Sequence, residues 1–474
     1  MLFAVLHGST ALISWPPMCL MSPHGYRTLQ GCPPRSVSAA MVASSPATAW
    51  TPPPLAADEE WIANFDLAAF GSDVKALGAD LRRNEGEADE AHFRKIRRWS
   101  DACGLLGVAT LPLPINPLTI VALSTWTYSR WAMVAHHTCH GGYDRLTDES
   151  SPYKGMRFAL GGPLRRARDW LDWMLPEAWN LEHNVLHHYK LGEAGDPDLV
   201  ERNLGFVRQW RGPIALKYAF VLIMSGVWKW VYYSPNTYKQ LKLSEHAKTH
   251  GGALPEVDGF DPDAALTLGK LMLRPQTRGG LFSPLEYFAT VLAPVVTFRF
   301  LLLPAPLLLL PGGVGLTSFT HAVFSLVLAD LLSNVHAFIT IVTNHAGCDL
   351  YRFDTPCAPN SPEFLLRQVL SSANYRTEGG DANDFMHGWL NYQVEHYPAA
   401  SLTARFTAQQ TAPRTEGAPT FLPFSPTPLV SSTRWSTTAG RRSPCSPTSV
   451  PRRVSAIFAR GTGCHTRRRV CGCG

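Results

Sequence analysis

Two runs of histidine stand apart in this chain: His136-His137-Thr138-Cys139-His140 and, 43 positions beyond His140, His183-Asn184-Val185-Leu186-His187-His188. On an α-helix, residues four apart lie about 40° from one another around the axis, so His136 and His140 share a face. His183 and His187 do the same, and His188 adds a donor from the neighbouring face. Neutral imidazole is a ligand for iron, copper, zinc and nickel. Five imidazoles in two clusters exceed the three or four that one zinc takes, so two metal ions in an imidazole-rich shell fit the number better. A third cluster, Gln393-Val394-Glu395-His396, is followed by Tyr397 where one more histidine would complete the pattern. The singly placed His246, His250, His321 and His387 read as ordinary core or surface residues.

The elements that must position these side chains are apolar. Residues 105–135 carry Arg130 as their one charge, exceed one membrane span of about 20 residues, and contain the breaker Pro112-Leu113-Pro114-Ile115-Asn116-Pro117. They read as one long tilted helix or a short hairpin. The hairpin is favoured, because it leaves both basic flanks, Arg94 to Arg98 and Arg165, Arg166 and Arg168, on one side. A second block, 287–342, is broken by Pro304, Pro306 and Pro311-Gly312-Gly313 and is long enough for two spans turning near Gly313. Arg299 inside it must snorkel or pair. Residues 214–223 are apolar but too short to span, which predicts an interfacial or buried helix. Trp170, Trp173 and Trp179, set among charged residues, predict a segment at the membrane interface.

Charge separates the chain into unequal parts. The formal net charge is +6, yet residues 403–474 hold eleven Arg, no Lys and Glu416 alone, a net +10 that leaves −4 for the rest. Overall basicity therefore gives no support to nucleic-acid binding. That Ser/Pro/Arg-rich tail reads as disordered or as a shifted reading frame beginning near Tyr397. Residues 1–57 lack acidic residues and are rich in Ser, Ala and Pro, which suggests a transit peptide or a disordered extension, with Met41 as an alternative start. Residues 58–104 form a soluble amphipathic segment and 105–402 the membrane domain. The ten cysteines are scattered and imply no disulfide framework.

His136-x-x-x-His140, His183-x-x-x-His187-His188 and Gln393-x-x-His396, placed around two apolar blocks, resemble the three histidine boxes of the membrane-bound fatty acid desaturase family. Gly141-Gly142-Tyr143-Asp144, Asp196-Pro197-Asp198, Asn344-His345-Ala346-Gly347 and Asn391-Tyr392 support the likeness, which runs from about Leu105 to His396. The resemblance implies an all-α integral membrane protein with about four transmembrane helices in two hairpins. A cytosolic or stromal cap would hold two non-haem irons, with O2 as co-substrate. It implies His136, His140, His183, His187, His188, His345 and His396 as ligands, His345 matching better than His336. His137, His336, Gln393, Asp144, Asp196, Asp198 and Glu395 are further candidates for the metal or for orienting its ligands, and Asp384 is also near a box. The implied activity is that of an oxidoreductase, introducing a double bond into an acyl-lipid or acyl-thioester. Hydroxylation by the same chemistry, or lipid binding by an inactive relative, are the alternatives. Tyr397 departs from the family pattern, and an inactive descendant, an adapted enzyme and a corrupted sequence all stay open there. Without a His-Pro-Gly-Gly haem signature, the electron donor is expected to be separate: ferredoxin in a plastid membrane, the favoured location, or a membrane b-type cytochrome in the endoplasmic reticulum.

Overall fold

The computed structural model describes residues 65–394 apart from 149, 156, 161, 171, 256–260, 274–280, 347–349, 354 and 376–377, and before them only the backbone of 35–36. The expectations for residues 1–57, for Glu395, His396 and Tyr397, and for the tail therefore lie outside the described residues.

The described chain is mostly helical. Helices α1 (Leu67–Arg83) and α2 (Glu87–Thr110) lead into α3 (Pro117–Ser129), which runs on through a π-helical stretch (Arg130–Ala135) to α4 (His136–Cys139). The prolines and Asn116 do make the break expected within 105–135. Pro117 occupies the first turn of α3, where its missing N–H costs nothing, and the Asn116 side chain caps the helix by accepting from Thr119 N at 3.0 Å. Antiparallel α2 and α3 then pack closely, because a Cβ on Gly104 would stand 2.7 Å from Trp126 and one on Gly107 would stand 2.6 Å from Leu123.

Next come α5 (Pro163–Asp169), α6 (Pro176–Trp179) continuing as a π-helix (Asn180–His187), and α7 (Val200–Gln209). A 36-residue helix (Ile214–Thr249) follows, built of α8 (Ile214–Trp228), a π turn (Lys229–Tyr233) and α9 (Ser234–Thr249). Beyond α10 (Leu268–Leu273), the second apolar block begins at α11 (Pro284–Tyr287) and passes through α12 (Ala293–Val296). The long α13 (Gly315–Thr340) returns, and α14 (Pro362–Leu370) and α15 (Gly380–His387) close the described part.

Among the described residues three helices are long and apolar enough to cross a membrane: Ile214–Thr249, Pro284–Leu309 and Gly315–His345. The last two form the hairpin expected of the second block. Gly312 and Gly313 both take φ of +75° in its turn, a conformation that glycine adopts without the steric cost of a Cβ. Two expectations need correction. Residues 214–223 do not form a short helix: the helix continues past the apolar run, and Leu216, Leu222 and Ile223 face outward on it. A hydrophobic run marks where a helix is greasy, not where its hydrogen bonding stops. The tryptophans are not an interfacial belt either, because Trp170 and Trp179 are each only 2% exposed and belong to the central core with Trp131, Met174 and Trp228. Buried aromatic area outweighs the affinity of a tryptophan for an interface when the segment folds back onto the bundle. Arg299 does pair, with Asp330 of α13 at 2.5 Å.

Candidate metal centre

The apolar elements deliver the histidines to one place. α3 and its π extension carry His136 and His140 into the interior, where His140 N bonds His136 O at 3.2 Å in regular α fashion. The second run is wound differently: it lies in the π-helix, and His188 N donates to His183 O at 3.1 Å, five residues back. Closing the turn on the fifth residue swings His188 onto the face of His183, so it joins the cluster directly instead of from a neighbouring face. Single π turns occur often at functional sites for this kind of reason.

Two groups result, each with its ligand atoms within 4.8 Å of one another: His136, His140, His183 and His188, then His183, His187 and Asp198. His183 belongs to both. Its Nε2 lies 2.9 Å from His136 Nε2 and 3.3 Å from His188 Nε2. One imidazole nitrogen holds either a proton or a lone pair, so it cannot satisfy two others by hydrogen bonding alone, whereas a cation accepts lone pairs from all of them. The donor set thus fits a metal. The ring of His345 lies 5.0 Å from that of His187, at the same centre.

Surrounding groups hold these rings. His187 Nδ1 lies 2.8 Å from Asp196 Oδ1, which leaves Nε2 to face the cluster; Asp196 also accepts from the backbone N–H groups of Gly192 and Asp198. Burial works against a charged His187, but Asp196, by charge and hydrogen bond, moves its pKa upward. Trp179 stacks on His183 with ring centres 4.6 Å apart and planes at 20°. Glu182, fully buried, accepts from Tyr233 OH at 3.3 Å. Burial and the nearby Asp198 push the Glu182 carboxyl well above the usual range, and burial lifts Asp198 to about 6.

Other candidates are placed elsewhere. His137 Nδ1 meets Tyr143 OH at 3.3 Å, outside both ligand groups, and burial drives its pKa down to about 4. His336 stacks on Tyr128 at 3.8 Å and donates to Met386 O at 2.6 Å. Asp144 accepts from Gly155 N at 2.8 Å and so shapes the loop after the first run. Asp384 accepts from Asn391 at 2.8 Å, holding the start of the third run. Gln393 is buried, donates to Leu390 O at 3.0 Å, and borders the cavity described next. Glu182 went unnoticed in the sequence, although a carboxylate directly before His183 is the same signal that singles out Glu395, and Trp179 was read as an interfacial residue and not as a neighbour of the cluster.

A cavity of about 540 Å3 opens from the histidines. His136, His183, His187 and His345 form one end, and its walls are chiefly apolar, with Phe206, Phe220, Met224, Trp228, Phe338 and Leu390 among them. Helices long and apolar enough to cross a membrane, an imidazole cluster that fits a metal and an adjoining apolar cavity therefore occur together in this chain. The family model for fatty acid desaturases matches residues 111–396, more than half of the chain, and the chain belongs to that family. The match ends one position before Tyr397. No curated protein and no solved structure matches the chain.

Proposed function

We propose that this protein is an acyl-chain desaturase with a di-iron centre, held by His136, His140, His183, His187, His188 and His345, with His396 as a further ligand. The observation that carries this reading is the apolar cavity ending on four of those histidines. Each methylene buried there contributes about 0.8 kcal/mol to holding an acyl chain, so the pocket selects by chain rather than by charge. When bound, the iron pair would supply activation of O2 and removal of two hydrogens from adjacent carbons, which no side chain can do to an unactivated methylene.

The protein's own residues orient and exclude. Asp196 fixes the tautomer and direction of His187, Trp179 fixes the plane of His183, and the aromatic walls keep water from the reacting carbons. Burial raises the pKa of both Glu182 and Asp198, which works against negative charge beside the ligands.

The substrate is an acyl-lipid or acyl-thioester, and the electron donor a separate protein, ferredoxin in a plastid membrane or a b-type cytochrome in the endoplasmic reticulum. Residues 105–402 form the functional domain, with four spans and a helical cap over the metals. Residues 1–57 act as the targeting segment and 403–474 lie outside the catalytic unit. Expression with iron and each donor in turn, followed by lipid profiling, tests the reading: a new double bond is the expected outcome. An oxygenated product would assign hydroxylation instead, and a purified chain devoid of iron and product would mark an inactive relative.

A further inference from the structure

A second cavity, of about 320 Å3, lies on the far side of the central tryptophans. Trp170 borders it, Trp179 borders the larger cavity, and the two rings stand 5.5 Å apart. Its walls come from Trp126 of α3, from α5 with the adjoining Trp170, and from the helix Pro284–Leu309, and they are apolar except for Arg166 and Arg299. Both arginines are deeply buried, 6% and 4% exposed. Arg166 gives its terminal N–H groups to the carbonyls of Thr290, Met174 and Val291 at 2.7, 3.2 and 2.9 Å, and no carboxylate among the described residues lies within ion-pair distance of it. Arg299 uses Nη2 on Thr127 and Asp330. Arg166 Nε, Arg299 Nε and Arg299 Nη1 have no hydrogen-bond partner among the described residues.

Carbonyls can satisfy N–H groups, yet they do not neutralise a desolvated cation, and burial accordingly pulls Arg166 down to about 10. The vacant donors belong to guanidinium groups, whose planar fork matches carboxylate and phosphate oxygens. Around them Val295, Phe298 and Leu302 offer only hydrocarbon, and Leu302, 53% exposed, carries that surface out to the face of a membrane-crossing helix. A small hydrated anion gains nothing from such walls. An acidic head with an attached chain satisfies both halves of the site, and basic pockets between membrane helices bind such head groups for the same reason.

We propose that this cavity binds an anionic lipid, its acidic head on Arg166 and Arg299 and its chain leaving past Leu302 along the outside of the helix. The site is separate from the oxidation chemistry and needs only the membrane setting.

The full chain is purified into phosphatidylcholine nanodiscs and given phosphatidylglycerol, oleate or inorganic phosphate, with Tm and lipid retained in native mass spectrometry as readouts. Phosphatidylglycerol is expected to raise Tm saturably by several degrees and to remain bound at one per chain, since a ligand that favours the folded state stabilises it in proportion to occupancy. Ala167→Trp, which fills the cavity and keeps both arginines, should abolish that rise while leaving Tm in pure phosphatidylcholine near that of the parent. Arg166→Gln should weaken the response about ten-fold or more. A rise with oleate but not phosphatidylglycerol would identify a free fatty acid as the anionic lipid. An equal rise with phosphatidylcholine or inorganic phosphate, a rise unchanged in both variants, or no rise with either anionic lipid would overturn the proposal.

Discussion

Two regions of this molecule bury polar groups at similar depth and treat them in opposite ways. Between the helices, Lys229 meets Asp172 at 2.6 Å and Arg299 meets Asp330 at 2.5 Å, while Trp173 adds a hydrogen bond to Asp330 at 3.0 Å. Each charge there has an opposite charge in contact, so no charge in the cluster lacks a counterion, although Arg299 Nε and Nη1 have no hydrogen-bond partner among the described residues. At the histidine centre, imidazole nitrogens crowd one another at 2.9 and 3.3 Å, Asp198 joins His183 and His187 as a further donor, and Asp196 sits behind the His187 ring. Electron pairs converge on a common point without a cation from the protein. A buried cluster that closes on itself holds a fold together; one that converges on a gap is built for a guest.

The largest test of that contrast is His183→Ala, which removes the residue common to both ligand groups. Metal content per chain and desaturated product should both fall to background while the helical signature persists; a variant that still binds two metals would remove the distinction between the regions. Asp330→Asn should act on the other side. Leaving Arg299 buried without its counterion costs about 3–5 kcal/mol, visible as a large fall in Tm at unchanged metal stoichiometry in whatever chain remains folded. Should Tm hold, the ion pair is dispensable and the comparison fails from that end.

His92 serves as an internal control, a half-buried imidazole that joins neither cluster. Its Nε2 has no hydrogen-bond partner among the described residues, and desolvation lowers its pKa from 6.5 to about 4. The folded state resists its protonation and the unfolded state does not, so stability is present above about 6.5 and declines as pH falls toward 4. The full difference is about 3 kcal/mol. Comparing pH-dependent melts of the parent and His92→Gln should show a shallower acid decline in the variant; parallel curves would mean that His92 is charged in the fold.

A smaller effect is expected for Asp196→Asn, which keeps the shape but weakens the hold on His187. Metal affinity should drop about 10–100-fold, with little change in Tm of the metal-free chain. The smallest belongs to Glu182→Gln. Burial raises the carboxyl's pKa and so favours its neutral form, which the amide resembles, and both Tm and iron content should stay within error. A severe loss there would show that Glu182 is ionised and takes part in ligation.

How much of this was legible beforehand can be followed residue by residue. The proline-rich break before Asn116 and the glycine turn at 312–313 announced their hairpins, because both depend on local backbone chemistry. Spacing alone brought His136 with His140, and the counting of imidazoles pointed to metal. His188 was expected in the cluster but from the wrong face, because a π turn is not encoded in a pattern that assumes 3.6 residues per turn. The burial of Trp170 and Trp179 was missed because indoles near charges suit an interface and a core alike, and only the fold-back of the chain decides between them.

The sequence by itself therefore determined the inventory: apolar blocks broken at their prolines and glycines, histidines in ordered runs, and the family those runs resemble. These are properties of composition and short spacing, which do not depend on what comes to lie opposite. The tertiary structure decided which groups share a place: His183 between two ligand sets, Asp196 behind His187, Asp330 beside Arg299, Arg166 without a counterion. Each of those relations joins different helices or loops, and the balance of desolvation against pairing that gives a buried charge its function exists only once its surroundings are assembled.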